Sequence, residues 1–198
     1  MPWIKVIEED EATSDLADYY REAREGGRQV ANVRKVVTLN PQAMRAFDLL
    51  GASFRDGPLS VRHREMVAVV TSAANRCVYC TVNHGEFLRR NLDESNPTEF
   101  VAQFAEDWRA LDLPAKERAM LEYAEAVSLR ASTMTAAYVE GLREVGWSDR
   151  EILDITLVCG YYNVMSRITD ALGVELDQGF VDEGLAAELE RRHLMTTL

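Results

Sequence analysis

Helix starts recur along this chain, and they constrain its fold more than any other feature. Asn40-Pro41 and Asn96-Pro97 each place a capping residue before a proline suited to the first helical position. Ser148-Asp149-Arg150-Glu151 is a capping box opening an apolar-rich run, Ile152 to Leu172, that Gly173 stops. Leu, Ala, Glu, Arg and Met dominate the periodic segments, and no Val/Ile/Thr run alternates with period two for long. The chain therefore reads as all-α. The pattern predicts helices over 13–24, 41–54, 61–74, 77–91, 97–110, 115–130, 135–145, 149–172 and 181–193. Ser60 caps the third of these, Asn75 takes a left-handed helix end, and a new helix starts near Cys77.

A length of 198 residues suits one domain, or two small halves packed as a unit. The expected division is an N-terminal helical segment over 1–58 packing on a core over 59–180, followed by a helical tail over 181–198. The acidic start and the tail from about Asp177 are expected to pack loosely or against a partner subunit. A weak internal echo appears at a shift of 54. LSVRHREM (59–66) lies over LPAKERAM (113–120), and NHGEFLRR (83–90) over AYVEGLRE (137–144). Amphipathic helices produce such matches by chance, so duplication stays open. If the halves are related, Cys77, Cys80 and His84 fall over Ala131, Met134 and Tyr138, and only the first half carries chemistry.

The net charge of −11 repels phosphate backbones, which disfavours nucleic-acid binding, and Arg62, His63 and Arg64 are too short a basic cluster to reverse it. No apolar run approaches the roughly 20 residues of a membrane span, and the start lacks the pattern of a secretory signal. A cytoplasmic protein is expected. Three cysteines are too few for a disulfide scaffold.

Two of those cysteines lie in RCVYCTVNHGEF, spaced C-x-x-C, with a histidine four residues after the second. Spacings of three and four stack Cys77, Cys80 and His84 along one helix face. A helix N-terminus favours a thiolate, an imidazole can take its proton, and a second thiol can trap a sulfenic acid as a disulfide. Core packing and zinc are the competing readings. A structural zinc site generally takes four ligands in two pairs, whereas no second C-x-x-C exists and His63 and His193 stand alone. Cys159, in ITLVCGYY, reads as a small buried apolar residue. Glu86 points away from the cysteines. Glu65 lies 12 residues before Cys77, about 18 Å along a straight helix, so it reaches the site only if the chain turns near Asn75 or another subunit supplies it. Tyr161, Tyr162, Asn163 and Arg167 are candidates to line a separate pocket, or else serve helix packing and an ion pair.

The segment REMVAVVTSAANRCVYCTVNHGEFLRR (64–90) resembles the core of the alkylhydroperoxidase D-like (AhpD-like) proteins of the carboxymuconolactone decarboxylase superfamily. The later stretch 146–176 resembles the closing part of their peroxidase-related branch. The resemblance implies an all-helical bundle, trimers or hexamers, and thiol-dependent reduction of hydroperoxides without metal, haem or flavin. It makes Cys80 the sulfur oxidised by peroxide, Cys77 the resolving thiol, and His84 with Glu65 a proton relay. An external dithiol, a lipoyl group or a thioredoxin-like protein, would restore the pair. Where well-studied members carry a further histidine before the second cysteine, this chain has Tyr79, a poor base near neutral pH. Rival readings are a non-catalytic redox sensor or scaffold, and an enzyme acting on another small organic substrate.

Overall fold

The structure, a computed structural model, describes residues 2–27, 29–192 and 194; His193 lies outside the described residues. Its helices are α1 (Ser14–Glu25), α2 (Asn32–Lys35), α3 (Pro41–Arg55), α4 (Val61–Ala74), α5 (Val78–Arg90), α6 (Pro97–Asp107), α7 (Ala115–Arg130), α8 (Ala136–Glu144), α9 (Asp149–Leu172) and α10 (Glu183–Arg191). No strand forms among the described residues. The predicted caps act as read. Asn40, Ser60, Asn96 and Ser148 each accept a backbone N–H three residues on, and the Ser148–Glu151 box is closed in both directions. The single turn α2 is too short for periodicity to reveal.

α4 lies at the centre, packed against α5, α7 and α9. Its residues Met66 to Ser72 are all buried, because a helix apolar on every face finds no stable place at the surface. Burying each Met or Val side chain there is worth about 1.5–3 kcal/mol. The tail helix α10 sends Leu185 and Leu189 into the same core. Cys159 is fully buried among it, and burial pushes its thiol up to about 12, so it packs and does not react.

The sequence placed the left-handed residue at Asn75. It is Arg76 instead, with φ +58°, while Asn75 stays right-handed. Arg76 N–H reaches Ala73 O and Cys77 N–H reaches Ser72 O, the paired bonds of a Schellman ending. Holding a non-glycine residue there costs about 1–2 kcal/mol. At the far end of α9 glycine is needed twice over. Gly173 has φ +63°, and a Cβ there would meet the Trp3 indole at 2.5 Å. Asp177 is not loose. It accepts from Asn32 N–H at 2.8 Å and from Tyr79 Oη at 2.5 Å, pinning the chain after α9 to α2 and α5.

The echo has structural counterparts. Asn40 and Asn96 cap with nearly equal angles (φ −132°, ψ 81° and φ −135°, ψ 80°). Arg64 donates to the carbonyl nine residues back, Arg55 O, and Arg118 does the same to Arg109 O. The pairs α3–α4 and α6–α7 thus share these local devices. Where the first half has Cys80 and His84, the second has Met134 and Tyr138 packed against the core.

The basic cluster 62–64 turns inward. Arg62 forks onto Glu117 at 2.9 and 3.2 Å, and His63 lies 3.5 Å from the same carboxylate. Burial would raise the Glu117 pKa, but His63 and Arg62 overcome it and hold the group at about 2. An unfolded glutamate titrates near 4.3, so this cluster stabilises the fold above that pH and loses its contribution as pH falls toward 2. Glu117→Gln should therefore lower stability at pH 7 and flatten its pH dependence between about 4.5 and 2, read by urea unfolding. An unchanged slope contradicts the assignment.

Candidate thiol site

Cys77 is the N-cap of α5. Its Sγ accepts the N–H of Cys80 at 3.5 Å, and the Thr169 hydroxyl of α9 stands 3.0 Å away. Cys80, one turn on, lies 3.9 Å from the same hydroxyl. Both thiols are free and buried. Thr169 Oγ1 also has the carbonyls of Met165 and Ser166 within reach, at 3.1 and 2.9 Å. Its proton can serve a thiolate, or fall back on a carbonyl when the sulfur carries none.

This arrangement corrects the expected charge distribution. The helix end favours Cys77, not Cys80. The bond from Cys80 draws Cys77 below the ordinary cysteine range against the cost of burial, with help from Thr169. Giving that bond, together with burial, pushes Cys80 well above it. Of the two thiols, Cys77 is the one whose surroundings favour ionisation.

Glu65 does reach the site from its own chain. The reversal between α4 and α5 makes the helices antiparallel, and Glu65 Oε2 meets His84 Nδ1 at 2.7 Å. The His84 side chain is 15% exposed and that of Glu65 14%, beside the partly exposed ring of Phe87. His84 was expected to take the Cys80 proton directly. Among the described residues no hydrogen bond joins it to either cysteine. Its ring packs edge-on against Tyr162 at 4.2 Å, and the Tyr162 phenol feels both Glu65 and Cys80.

Tyr79 faces away from this chemistry. Burial and the Asp177 carboxylate raise its pKa far above the usual phenol range, so it serves as an anchor. Glu86 also points elsewhere, holding Arg89, Arg90 and the Asp182 amide. Asn163 and Arg167 brace Asn75 at the end of α4, through amides and carbonyls and not through the expected ion pair. Tyr161 Oη accepts from Arg34 at 2.5 Å. Thr169 and Ser166 were missed. Isolated hydroxyls on a distant helix carry no spacing signal, yet the buried Ser166 hydroxyl stands close enough to Cys80 to oppose part of the rise in its pKa.

Comparison with known proteins places this geometry. Residues 41–94, which include Glu65, Cys77, Cys80 and His84, match the carboxymuconolactone decarboxylase family model. The alkylhydroperoxidase AhpD core of a peroxidase-related protein from Ralstonia eutropha JMP134 superposes with a TM-score of 0.81 at 29% identity, over 93% of this chain and 96% of that one. Together the family-model match and this structural likeness support the AhpD-like proteins of the carboxymuconolactone decarboxylase superfamily as the relatives of this chain. A second peroxidase-related protein, from Silicibacter sp. TM1040, gives 0.75 at 28% identity over 90% and 91% of the two chains. Sestrin-3 of Mus musculus is 23% identical over 184 residues, 89% of this chain; the chain spans about a third of that protein's length, 34%. Among the described residues no helix is long and apolar enough to cross a membrane.

The charge assignment is open to direct test. Thiolate absorbance near 240 nm should show one cysteine ionising below the free-thiol value of about 8.5, and Cys77→Ser should abolish that step. Its retention in Cys77→Ser would place the charge on Cys80.

Proposed function

We propose that the chain is a cytoplasmic thiol-dependent peroxidase that reduces hydroperoxides with the Cys77–Cys80 pair. The observation that carries this reading is the juxtaposition of two free thiols sharing one hydroxyl with a nearby His84–Glu65 pair at 2.7 Å. Cys80 Sγ attacks the terminal peroxide oxygen, the O–O bond breaks, and the Cys80 proton passes to the Cys77 thiolate. The departing alkoxide takes a proton from the His84 imidazolium, which Glu65 stabilises. The products are an alcohol and a Cys80 sulfenic acid. Cys77 then attacks the sulfenic sulfur, and its proton leaves with the hydroxide as water, giving the disulfide. Two electrons from an external dithiol restore both thiols, and the proton they release recharges His84.

Burial supports a narrow substrate. Cys80 is only 2% exposed, so the peroxide must insert beside His84 and Tyr162. The sensor reading differs in turnover: a sensor reacts once per site, whereas an enzyme consumes peroxide while reductant lasts.

Cys80→Ser should abolish steady-state peroxide consumption, and full activity in that variant rules the mechanism out. Glu65→Gln should lower the rate by about 10²-fold and move its pH profile, as loss of general acid–base assistance does. An unchanged profile removes His84–Glu65 from the reaction.

A further inference from the structure

Among the described residues, Thr169 is the side chain outside the pair that lies in hydrogen-bond reach of both sulfurs, with Oγ1 3.0 Å from Cys77 Sγ and 3.9 Å from Cys80 Sγ. It is 1% exposed, so water does not take its place. We propose that this hydroxyl follows the redox state of the pair: it donates to Cys77 Sγ while the pair is reduced, and turns its proton to the carbonyls of α9 when the disulfide forms. Thr169 is thus a positioning residue that makes the pair easier to reduce. This deepens the peroxidase reading and rests on it only for the origin of the disulfide.

A threonine hydroxyl carries one proton and two lone pairs. Around Oγ1 stand the two sulfurs and the carbonyls of Met165 and Ser166, at 3.1 and 2.9 Å. The carbonyl contacts are ordinary for a threonine inside a helix. The contact with Cys77 is not, because oxygen and sulfur at 3.0 Å are closer than van der Waals packing allows without a proton between them. The hydroxyl can turn among these acceptors without moving a heavy atom. A disulfide sulfur is a poor acceptor, and the carbonyls then receive the proton, so oxidation orphans no buried donor. A thiolate is a strong acceptor, and a hydrogen bond to an ionised group is roughly twice as strong as a neutral one. The donation therefore stabilises the reduced pair and costs the oxidised pair nothing.

Long-range charge does not do this work. Asp170 follows Thr169 on α9, and its field opposes ionisation of Cys77. The cleft that Cys77 borders also holds Glu106 and Asp107 of α6, Glu125 of α7 and Glu175 beyond α9, against Arg76 and Arg109, and Arg109 is paired with Glu125 at 2.6 Å. α4 contributes only apolar side chains to it, and the Tyr79 phenol of α5 stays neutral through burial and the Asp177 carboxylate. What draws Cys77 below the ordinary cysteine range is hydrogen bonding, from the Cys80 thiol first and then from Thr169 and the Cys80 amide, against the cost of burial. The Cys80 thiol is itself consumed when the pair oxidises. Thr169 is the side-chain donor that persists through the cycle.

Reduction of the disulfide takes two electrons and one proton. The S–S bond breaks, one electron pair stays on Cys77 as the thiolate that Thr169 meets, and the other, on Cys80, binds the proton. Stabilising the reduced form raises the reduction potential of a dithiol pair. In the proposed cycle the same donation keeps Cys77 ready as the base for the Cys80 proton.

The test uses the full chain, with Thr169→Val removing the hydroxyl at nearly constant shape and Thr169→Ser keeping it. The pH step in thiolate absorbance should move up in Thr169→Val, so that thiolate at a fixed pH below the step falls about tenfold, and should return in Thr169→Ser. Equilibration with reduced and oxidised dithiothreitol, above both steps, should give an equilibrium constant for reduction about tenfold lower in Thr169→Val, which is about 30 mV. That difference should vanish as the pH falls below the wild-type step, where neither protein holds a thiolate; a merely structural loss would persist. Thr169→Ala, which adds no bulk to the core, should shift both readouts in the same direction. An unmoved step in the valine and alanine variants, an equal shift in Thr169→Ser, or a difference in reduction that persists at low pH would overturn the proposal. Neither measurement involves peroxide, so the peroxidase reading stands or fails separately, on turnover in Cys80→Ser.

Discussion

The reversal of the chain between Ala74 and Val78 is the constraint on which the site depends. Its paired bonds, Arg76 N–H to Ala73 O and Cys77 N–H to Ser72 O, stop α4 and restart the chain as α5 within three residues. Two consequences follow from this one turn. Cys77 becomes an N-cap, where the Cys80 N–H and the helix dipole meet its sulfur. The two helices also run antiparallel, which brings Glu65 from near the start of α4 to His84 on α5. Along one straight helix, the same two residues would lie about 28 Å apart.

Burial does the rest. A thiolate in an apolar core is costly unless hydrogen bonds compensate it. Here the compensation comes from Thr169 and the Cys80 amide, and it falls unequally on the two sulfurs. The pair is therefore polarised before any substrate arrives. Cys159 shows the contrast: it is equally buried, and there burial outweighs the nearby Thr71 hydroxyl and pushes the thiol up to about 12.

The two stretches that echo each other in sequence differ in chemistry more than in folding devices. The two halves share their caps and their arginine-to-carbonyl braces, which are devices of folding. They differ where the first half has Cys80 and His84 and the second Met134 and Tyr138. From the second, α7 holds Glu117 against Arg62 of α4.

Helix identity and boundaries were legible because they depend on local chemistry. Caps, prolines and apolar period act within a few residues, so α3, α4, α7 and α9 end within a residue of where the sequence put them. The same locality made Cys77, Cys80 and His84 visible as one face. What the sequence left open was everything set by contact between distant segments. Only the packed structure decided that Arg76 takes the left-handed turn, that Tyr79 anchors Asp177, that His84 bonds Glu65 and neither sulfur, and that Thr169 and Asp170 of α9 stand beside Cys77. The physical reason is the same in each case: a pKa or a hydrogen bond depends on what lies a few ångströms away in space, and residues 92 or 98 positions apart in the chain carry no mark of that neighbourhood.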